Sequence, residues 1–375
     1  MAESDILEIS VVIPTLNCAK RLKAHMTKAE EWLPFVRQVI IVDSYSTDGT
    51  SEIIQAYEQK FGLTTLSCPK GLYSSWNYGV AHTECPYVYF STVGDTITYD
   101  GLKSLYQSAE HLGAEVVISP PVFEFDDRCN GYESQWPIHE IVERLDLNRP
   151  ILCDPRLLYD FILVFLERGI LGSSASNLYR AETLKRLPFS EDYYAAGDSA
   201  WMVQNCFDVK TAIVPQSFST FLFHKKDWSF DSAHIKSSQM LRERFAFEAF
   251  LKSIENTRTL SENLSSRCQE LVIQALDAKQ INKCERLSDL LLLIRDFQKL
   301  KKMDHNESYE FRAIILRLEF LCEREIGRRY RKFMGAARNL WPPALSSRRR
   351  LKDLRVELSN LITDVPIADY TLESE

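Results

Sequence analysis

The fold is decided by one stretch of the chain, VIIVDSYSTDGT, which spans residues 39–50. Its first four residues are apolar and β-branched, a pattern typical of a buried strand. The strand leads directly into Asp43 and then into Ser46 and Asp48, which are residue types that commonly begin helices. Apolar residues at helical spacing follow from Ile53 onward. The stretch therefore predicts a βα unit with a carboxylate at the C-terminal end of its strand, where open α/β sheets bind ligands.

Strand and helix patterns alternate through the first third of the chain, which predicts a mostly parallel sheet with helices on both faces. The aromatic and acidic stretch 122–150 predicts a loop-rich segment. Beyond residue 229 no strand pattern remains, and apolar residues recur at helical spacing among many charges. We therefore predict an α/β domain over residues 1–229 and a helical C-terminal region over residues 230–375.

Composition limits the classes of function. The 375 residues carry a net charge of -7, which argues against non-specific binding of nucleic acid. The nine cysteines are odd in number and include no Cys-x-x-Cys pair, which favours a reducing compartment over a disulfide framework or a zinc site. The acidic N-terminus lacks the apolar core of a secretory signal, and no apolar run approaches the ~20 residues that span a bilayer. We expect a cytoplasmic protein, with contact to the inner face of the cell membrane as an alternative.

Two further segments carry candidate functional residues. VIPTLN (residues 12–17) ends the first strand, where Pro14 fixes φ and offers a backbone ledge to a flat ligand. TVGDT (residues 92–96) follows an aromatic strand, where Asp95 could hold a divalent cation whose other oxygen ligands come from a diphosphate. Seen singly, each segment is also compatible with an ordinary strand exit or turn.

Taken together, these segments resemble family 2 glycosyltransferases of the GT-A fold. The resemblance covers roughly residues 8–225 and rests on VIPTLN, VDSYSTDGT (42–50), NYGVA (77–81) and the aromatic strand before Asp95. It implies a Rossmann-like α/β domain that binds a nucleotide-diphosphate sugar. The residues that it implies for this site are Pro14, Thr15, Leu16, Asn17, Asp43, Ser44, Lys70, Asn77, Gly94 and Asp95.

Each of these residues has an implied role. Pro14, Thr15 and Leu16 would line the pocket for the base, and Asp43 would face the base or the ribose. Asn77, with Lys70 nearby, would lie under the ribose or the diphosphate.

The resemblance also implies a metal site for Mn²⁺ or Mg²⁺. Asp95 would be the last carboxylate of the family's D-x-D motif, and His224 would join the metal or the diphosphate. The chain departs from this motif because Val93-Gly94-Asp95 keeps only the final Asp. It departs from the family a second time in the VDSYSTDGT block, where Ser44 replaces an Asp that is often found after Asp43. These departures are compatible with weaker metal binding, with a different nucleotide, or with lost activity.

The catalytic base of such enzymes is an acidic residue about a hundred positions after the metal-binding Asp. Asp198 matches this position, and Glu191 and Asp192 are rivals; a helix cap is the simpler role for Asp198. A weaker expectation is that Ser174 or Ser176 lines the sugar pocket.

The resulting prediction is an inverting, metal-dependent glycosyltransferase that acts on a polysaccharide, lipopolysaccharide or other glycoconjugate. Its donor would be a nucleotide-diphosphate sugar, with UDP as the family's commonest choice, and its acceptor a glycan or a lipid-linked sugar. One alternative is a degenerate glycosyltransferase that serves as a binding or scaffold subunit. Another is a sugar nucleotidyltransferase, although the first strand lacks the Gly-rich basic loop of that class. Basic and aromatic residues at 328–352 suit a membrane surface or a solvated helix, and the C-terminal helices would permit a homodimer.

Overall fold

The structure is a computed structural model that describes residues 6–125, 136–165, 169–192 and 197–223, together with a few residues between 316 and 360. The chain divides into two compact units, Met1–Lys236 with Ile367–Glu375, and Ser237–Pro366. The predicted domain boundary at 229/230 lies outside the described residues.

The first unit alternates strands and helices, as the sequence predicts. In chain order its elements are β1 (Leu7–Thr15), α1 (Ala19–Ala29), β2 (Val36–Asp43), α2 (Thr50–Phe61), β3 (Thr64–Ser67), α3 (Leu72–Ala81), β4 (Tyr87–Phe90), β5 (Thr96–Ile97), α4 (Tyr99–Leu112), β6 (Val116–Ile118), β7 (Val122–Phe125), α5 (Pro137–Arg144), β8 (Ile151–Leu152), α6 (Pro155–Val164), β9 (Asn177–Arg180), α7 (Ala181–Arg186), α8 (Gly197–Asn205), β10 (Thr211–Ile213) and β11 (Ser219–Phe223). Short 3-10 helices lie at Leu33–Phe35 and Ser174–Ser176.

The described strands form a central sheet in the order β3-β2-β1-β4-β9-β6-β10-β8. The first four strands of this order are parallel to one another. β9 runs antiparallel between β4 and β6, and β8 pairs antiparallel with β10 at the edge. The predicted α/β fold with a mostly parallel sheet is therefore confirmed.

The strand order reverses between β1 and β4. From β1 the chain moves outward to β2 and β3, and it then returns to place β4 on the other side of β1. At such a switch point the connections leave in opposite directions and open a crevice beyond the carboxyl ends of the strands, where ligands bind. The loops after β1, β2 and β4 meet at this edge, because these strands are parallel.

The stretch 122–150 contains more regular structure than its composition predicts. β7 joins a second, three-stranded sheet in the order β5-β11-β7, and α5 follows, with Ile138 and Ile141 buried. α5 begins with Pro137, which is favourable at the first position of a helix. The prediction of a loop-rich segment was therefore wrong for the described part of this stretch.

Helix α3 packs very closely against the sheet through Gly79. A Cβ at this position would lie 2.5 Å from Cγ1 of Val12 on β1 and 3.3 Å from Cγ2 of Val42 on β2. The helix therefore approaches the two strands that carry the first polar loops, and only glycine allows this distance.

Gly79→Ala is expected to destabilise the protein, because the new methyl group would overlap Val12. Overpacking of this kind costs about 1–3 kcal/mol, which outweighs the roughly 1 kcal/mol that alanine gains over glycine in a helix. Denaturant titration measures the change in the free energy of unfolding. Tyr78→Ala on the same helix is the control, since Tyr78 is exposed; an equal or smaller loss for Gly79→Ala would contradict the packing argument.

The second unit is described only at scattered helical positions between residues 316 and 360. There the fully buried carboxylate of Glu319 pairs with the guanidinium of Arg350. The remainder of the predicted helical C-terminal region, including the basic residues near 328–349, lies outside the described residues. Within the described part of the chain, no helix is both long enough and apolar enough to cross a bilayer.

Candidate active site

Asp43 ends β2 and is the centre of a polar network at the edge of the sheet. Its side chain is buried, and one carboxylate oxygen accepts hydrogen bonds from the hydroxyls of Thr15 (2.8 Å) and Ser46 (2.6 Å). The other oxygen accepts the backbone N–H of Ser46 (2.8 Å). Tyr45, between these residues, adopts φ +57° and is 63% exposed. The carboxylate is therefore held in place by the ends of two adjacent strands, and an exposed aromatic residue follows it two positions along the chain.

The loops after β1 and β2 are joined by side chains as well as by the sheet. The Oδ1 atom of Asn17 accepts the backbone N–H of Thr47 (2.8 Å), and the backbone N–H of Asn17 donates to the Ser46 hydroxyl (2.9 Å). Asp48 accepts the N–H of Ala19, at the start of α1, and the hydroxyl of Thr50. Asn17 adopts φ +46°, which asparagine tolerates better than most residues. Asp48 and Asn17 thus fix the geometry of the two loops. Of the three residues predicted to line the pocket for the base, Pro14 and Leu16 have part of their surface exposed, whereas Thr15 is buried.

Three other predicted site residues lie around α3. Ser44 is buried, and its hydroxyl lies 3.3 Å from that of Ser75. Lys70 is exposed in the loop between β3 and α3. Asn77 uses its whole amide on the backbone of Phe189: its Nδ2 donates to the carbonyl (2.8 Å) and its Oδ1 accepts the N–H (3.0 Å). Asn77 therefore holds the 189 segment against α3, and the structure offers no support for its predicted contact with the ribose or diphosphate.

Asp95 lies on the other side of the switch point, in the loop between β4 and β5. Its carboxylate is buried and accepts the Ser173 hydroxyl at 3.1 Å and the backbone N–H of Leu222 at 3.1 Å. Gly94 adopts φ +116°, a conformation that favours glycine. Val93, at the place of the first Asp in the D-x-D motif, packs against the core. The loop therefore presents a single, well-supported carboxylate.

His25 is a buried residue of this region that sequence reasoning did not single out. It belongs to α1, and its Nε2 lies 3.0 Å from the hydroxyl of Ser91, at the end of β4. Burial lowers the pKa of His25 to about 4, so the imidazole is neutral at pH 7. A lone histidine on a helix gives no local signal of such a contact, since its partner lies 66 residues away.

The structure fits a divalent cation at Asp95 only in part. A buried carboxylate beside hydroxyl groups is suitable for a hard cation that takes its other oxygens from a diphosphate and water. Ser173 supplies such a hydroxyl, 3.1 Å from the carboxylate. The hydroxyls of Thr92 and Ser174, in the same two segments, lie 2.6 Å from each other. Among the described residues, however, no three His, Cys, Asp or Glu side chains come together as a metal site. His224, the second predicted ligand, lies outside the described residues.

Asp198 lies in the first turn of α8, with part of its surface exposed. Its Oδ1 accepts the backbone N–H of Ser199 (2.6 Å), and its own backbone N–H donates to the hydroxyl of Tyr73 (3.0 Å). Burial raises the pKa of the carboxyl group above its ordinary value of 3.8, although hydrogen bonds from Ser199 and Tyr73 oppose this rise. A carboxylate with a raised pKa is a better proton acceptor, as a general base requires.

The rival acids and the predicted sugar-pocket serines are also described. Glu191 and Asp192 are both exposed, and Glu191 accepts the Ser74 hydroxyl at 2.7 Å. Ser176 is fully buried and donates to the carbonyl of Ser173, so it cannot line a pocket. Ser174 is partly exposed. Ser173, which the sequence did not single out, contacts Asp95 directly.

Comparisons with known proteins identify a family and a fold. Residues 10–161 match the family model described as "Glycosyl transferase family 2". These residues form a family 2 glycosyltransferase domain. The match includes Thr15, Asp43 and Asp95, the residues on the two sides of the switch point. The predicted family is therefore confirmed.

Two curated relatives match about a third of this chain. One is a cholesterol galactosyltransferase of Borreliella burgdorferi, 27% identical over 114 residues, which are 30% of this chain and 32% of that protein. The other is an uncharacterised glycosyltransferase (MG025 homolog) of Mycoplasma pneumoniae, 29% identical over 115 residues, or 29% of this chain and 38% of that protein. The matched stretch therefore spans about a third of each relative's length.

A solved structure extends the similarity beyond the family match. The structure of S. aureus TarS covers 92% of this chain and 55% of its own, with a TM-score of 0.50 at 14% identity. At this identity the similarity concerns the fold alone, and it confirms a GT-A-like fold.

Proposed function

We propose that this family 2 glycosyltransferase domain transfers a sugar, with inversion, from a nucleotide-diphosphate sugar to a hydroxyl group of an acceptor. One observation carries the proposal: Asp43 and Asp95 lie at the same edge of the sheet, on opposite sides of the β1/β4 switch point. The donor is proposed to lie across this crevice, with its base toward Asp43 and its diphosphate toward Asp95. Lys70 and Gly94 are proposed to lie next to the diphosphate. Ser44 is buried, so it is proposed to pack beneath the donor site rather than to contact the donor.

The base is proposed to be uracil. The carboxylate of Asp43 is an acceptor that two hydroxyls and one N–H hold in a fixed orientation. The N3–H group of uracil is a donor, and a hydrogen bond to a charged partner contributes about 1.5–3 kcal/mol. Exposed Tyr45 stands next to this carboxylate and offers a ring face to a base.

A divalent cation, Mn²⁺ or Mg²⁺, is proposed to bind between Asp95 and the diphosphate. When bound, such an ion stabilises the negative charge that develops on a departing diphosphate. Asp95 would be the ligand from the described residues, and His224 is the candidate for a second. Ser173 and the backbone of Leu222 orient the carboxylate of Asp95.

Asp198 is proposed as the general base. The acceptor hydroxyl gives its proton to the carboxylate while its oxygen forms a bond to the anomeric carbon. The bond between that carbon and the diphosphate oxygen breaks, and its electron pair leaves with the nucleoside diphosphate. Because attack and departure take place on opposite faces of the sugar, the anomeric configuration is inverted.

The acceptor is proposed to be a glycan or a lipid-linked sugar, in the synthesis of a polysaccharide, lipopolysaccharide or other glycoconjugate. A cytoplasmic location, a peripheral contact with the membrane and a homodimer remain proposals from the sequence. The alternative of a degenerate binding subunit keeps one specific observation in its favour, the apolar Val93 at the first position of the metal motif.

Calorimetric titration with UDP, GDP, CDP and dTDP, each with and without Mn²⁺, tests the proposal. We expect UDP to bind, and Mn²⁺ to strengthen its binding. A preference for another nucleotide would overturn the uracil assignment while preserving the donor site. No binding of any nucleotide, in either condition, would favour the degenerate subunit.

Asp43→Asn is expected to weaken UDP binding about tenfold to a hundredfold, because the charged acceptor for the base is lost. The same titration measures this change. Asp48→Asn is the matched control, since Asp48 is exposed and supports the same pair of loops. An equal loss in both variants would assign the effect to loop order rather than to recognition of the base.

A further inference from the structure

Helix α3 contacts the segment that carries Asp198 through three side chains. Asn77 holds the backbone of Phe189, and Ser74 donates a hydrogen bond to Glu191 (2.7 Å). Tyr73 reaches Asp198, 125 residues further along the chain. These contacts fix the described positions on both sides of 193–196, which lie outside the described residues. The other face of α3 packs on the sheet through Gly79, so the helix is itself anchored.

The hydroxyl of Tyr73 interacts with both the backbone and the side chain of Asp198. Its oxygen accepts the backbone N–H of Asp198 at 3.0 Å, which satisfies one of the N–H groups that the first turn of a helix leaves without a partner. The same hydroxyl lowers the pKa of the Asp198 carboxyl group, as a donor close to the carboxylate does. One phenol group thus fixes the backbone position of Asp198 and favours the ionised form of its side chain.

The ring of Tyr73 is also held firmly. It is buried and packs against Trp76 (5.2 Å between ring centroids) and Phe189 (5.5 Å). A Cβ on Gly197 would lie 2.4 Å from Cε2 of this ring, so the ring rests directly on the backbone of the residue before Asp198. The hydroxyl therefore has little freedom to move away from the carboxylate.

We propose that Tyr73 is a positioning residue that orients the carboxylate of Asp198 and stabilises its ionised form, which is the form that accepts a proton. This inference rests on the proposed role of Asp198 as the general base. Among the described elements, Tyr73 on α3 and Tyr179 on β9 are the titratable groups that interact with Asp198. Burial raises the pKa of both phenols, so both remain protonated at neutral pH.

The two tyrosines differ in a way that provides a control. The Tyr73 hydroxyl accepts the backbone N–H of Asp198 and lowers the pKa of its carboxyl group, whereas the Tyr179 hydroxyl accepts a hydrogen bond from Nδ2 of Asn177 (3.3 Å). Both rings are buried and pack against Phe189. Replacing either tyrosine with phenylalanine removes one buried hydroxyl from the same aromatic cluster, but only Tyr73→Phe removes the hydroxyl that contacts Asp198.

The experiment compares the full-length protein with its Tyr73→Phe and Tyr179→Phe variants. Carbon-13 NMR of aspartate-labelled protein gives the pKa of Asp198, and the resonance is assigned by its absence in Asp198→Asn. We expect Tyr73→Phe to raise this pKa by about one unit, because the ionised carboxylate loses a donor. Tyr179→Phe should leave the pKa unchanged. Site-specific 3-fluorotyrosine at position 73 should lower the pKa of Asp198, since its hydroxyl is a stronger donor. This variant tests the same contact if Tyr73→Phe does not fold.

Activity supplies the second readout. Release of UDP from UDP-glucose in the presence of Mn²⁺, measured from pH 5 to 9, should show the acidic limb of kcat moved to higher pH in Tyr73→Phe, with KM for UDP-glucose unchanged. A lower melting temperature with an unchanged pKa of Asp198 would overturn the proposal and leave Tyr73 a structural role only. If the pKa rises but Asp198→Asn retains full turnover, the base assignment fails while the contact between Tyr73 and Asp198 stands.

Discussion

Asp95→Ala is expected to abolish the part of UDP binding that depends on Mn²⁺. Asp95 is the carboxylate that the described residues present on the diphosphate side of the switch point, and two donors hold it in place. Without it, the cation has lost the protein ligand that fixes its position beside the diphosphate. Calorimetry should show the UDP affinity with Mn²⁺ falling to the affinity measured without Mn²⁺.

Asp95→Asn separates the charge from the hydrogen bonds. An amide oxygen still accepts the Ser173 hydroxyl or the N–H of Leu222, whereas alanine leaves both donors without this acceptor. Both variants should lose the Mn²⁺ effect, but Asp95→Ala should lose more stability, because it removes the acceptor of two buried donors rather than of one, and an unsatisfied donor costs about 1–3 kcal/mol. Retention of the full Mn²⁺ effect in either variant would remove Asp95 from the metal site.

The metal-independent part of UDP binding provides the internal control. Asp43 and Thr15 lie on the other side of the switch point and share no hydrogen bond with Asp95 among the described contacts. Their contribution should therefore survive in Asp95→Asn. A parallel loss of UDP binding without Mn²⁺ would indicate that the loop, rather than the charge, has changed.

The sequence could predict this edge of the sheet because its signals are local. The strands β1, β2 and β4 each contain a run of four apolar residues (11–14, 39–42 and 87–90), and a polar residue follows each run directly. Parallel strands bring their carboxyl ends together, so Thr15, Asp43 and Asp95 were expected at one edge before any contact was known. The structure adds that Asp43 and Thr15 bond to each other, whereas Asp95 bonds to residues far along the chain.

The contacts of Asp95 and Asp198 could not be predicted because they depend on tertiary packing. Ser173 reaches Asp95 from 78 residues away, since β9 enters the sheet antiparallel between β4 and β6 and brings its N-terminal end to the same edge. Apolar patterns identify a strand but not its neighbours. Likewise, helical spacing places Tyr73 and Asn77 on one helix without showing that both side chains face the Asp198 segment.

Asn77 illustrates that a local motif does not show every contact of its residues. The family resemblance implied a contact with the ribose or the diphosphate, and Asn77 does lie on α3. Its amide nevertheless makes a two-point contact with the backbone of Phe189. Conversely, α5 carried readable signals in Pro137, Ile138 and Ile141 that the surrounding aromatic and acidic residues obscured.

Asp198→Asn is expected to reduce the rate of sugar transfer by about 10²–10⁴-fold, the usual contribution of a general base. Asparagine occupies the same volume and keeps an oxygen for the Ser199 N–H, but it cannot accept a proton from the acceptor hydroxyl. UDP affinity, with and without Mn²⁺, should remain that of the wild type, because Asp198 lies outside the proposed contacts with the nucleotide. Transfer at the wild-type rate would exclude Asp198 as the general base, and Glu191 and Asp192 would then be the candidates for this role.

The same variant is expected to be more stable than the wild type at neutral pH. Burial raises the pKa of Asp198 above 3.8, so the folded state holds the proton more tightly than the unfolded chain does. The free energy of unfolding of the wild type therefore falls as pH rises from about 3.8 through the higher pKa of the folded state, and it levels off above that value. Asparagine has no proton to lose, so the advantage of Asp198→Asn should be present at neutral pH and vanish below pH 3.8.

Thermal melts of both proteins between pH 3 and 8 measure this difference. A carboxylate that must ionise in a largely buried position lowers the free energy of unfolding, and active sites commonly sacrifice stability in this way for catalysis. A variant that loses turnover and gains stability, with the gain confined to the pH range in which the wild-type carboxylate is ionised, identifies Asp198 as a residue kept for catalysis. A helix cap predicts the opposite sign, because removing a charge from the first turn of α8 would weaken its interaction with the helix dipole.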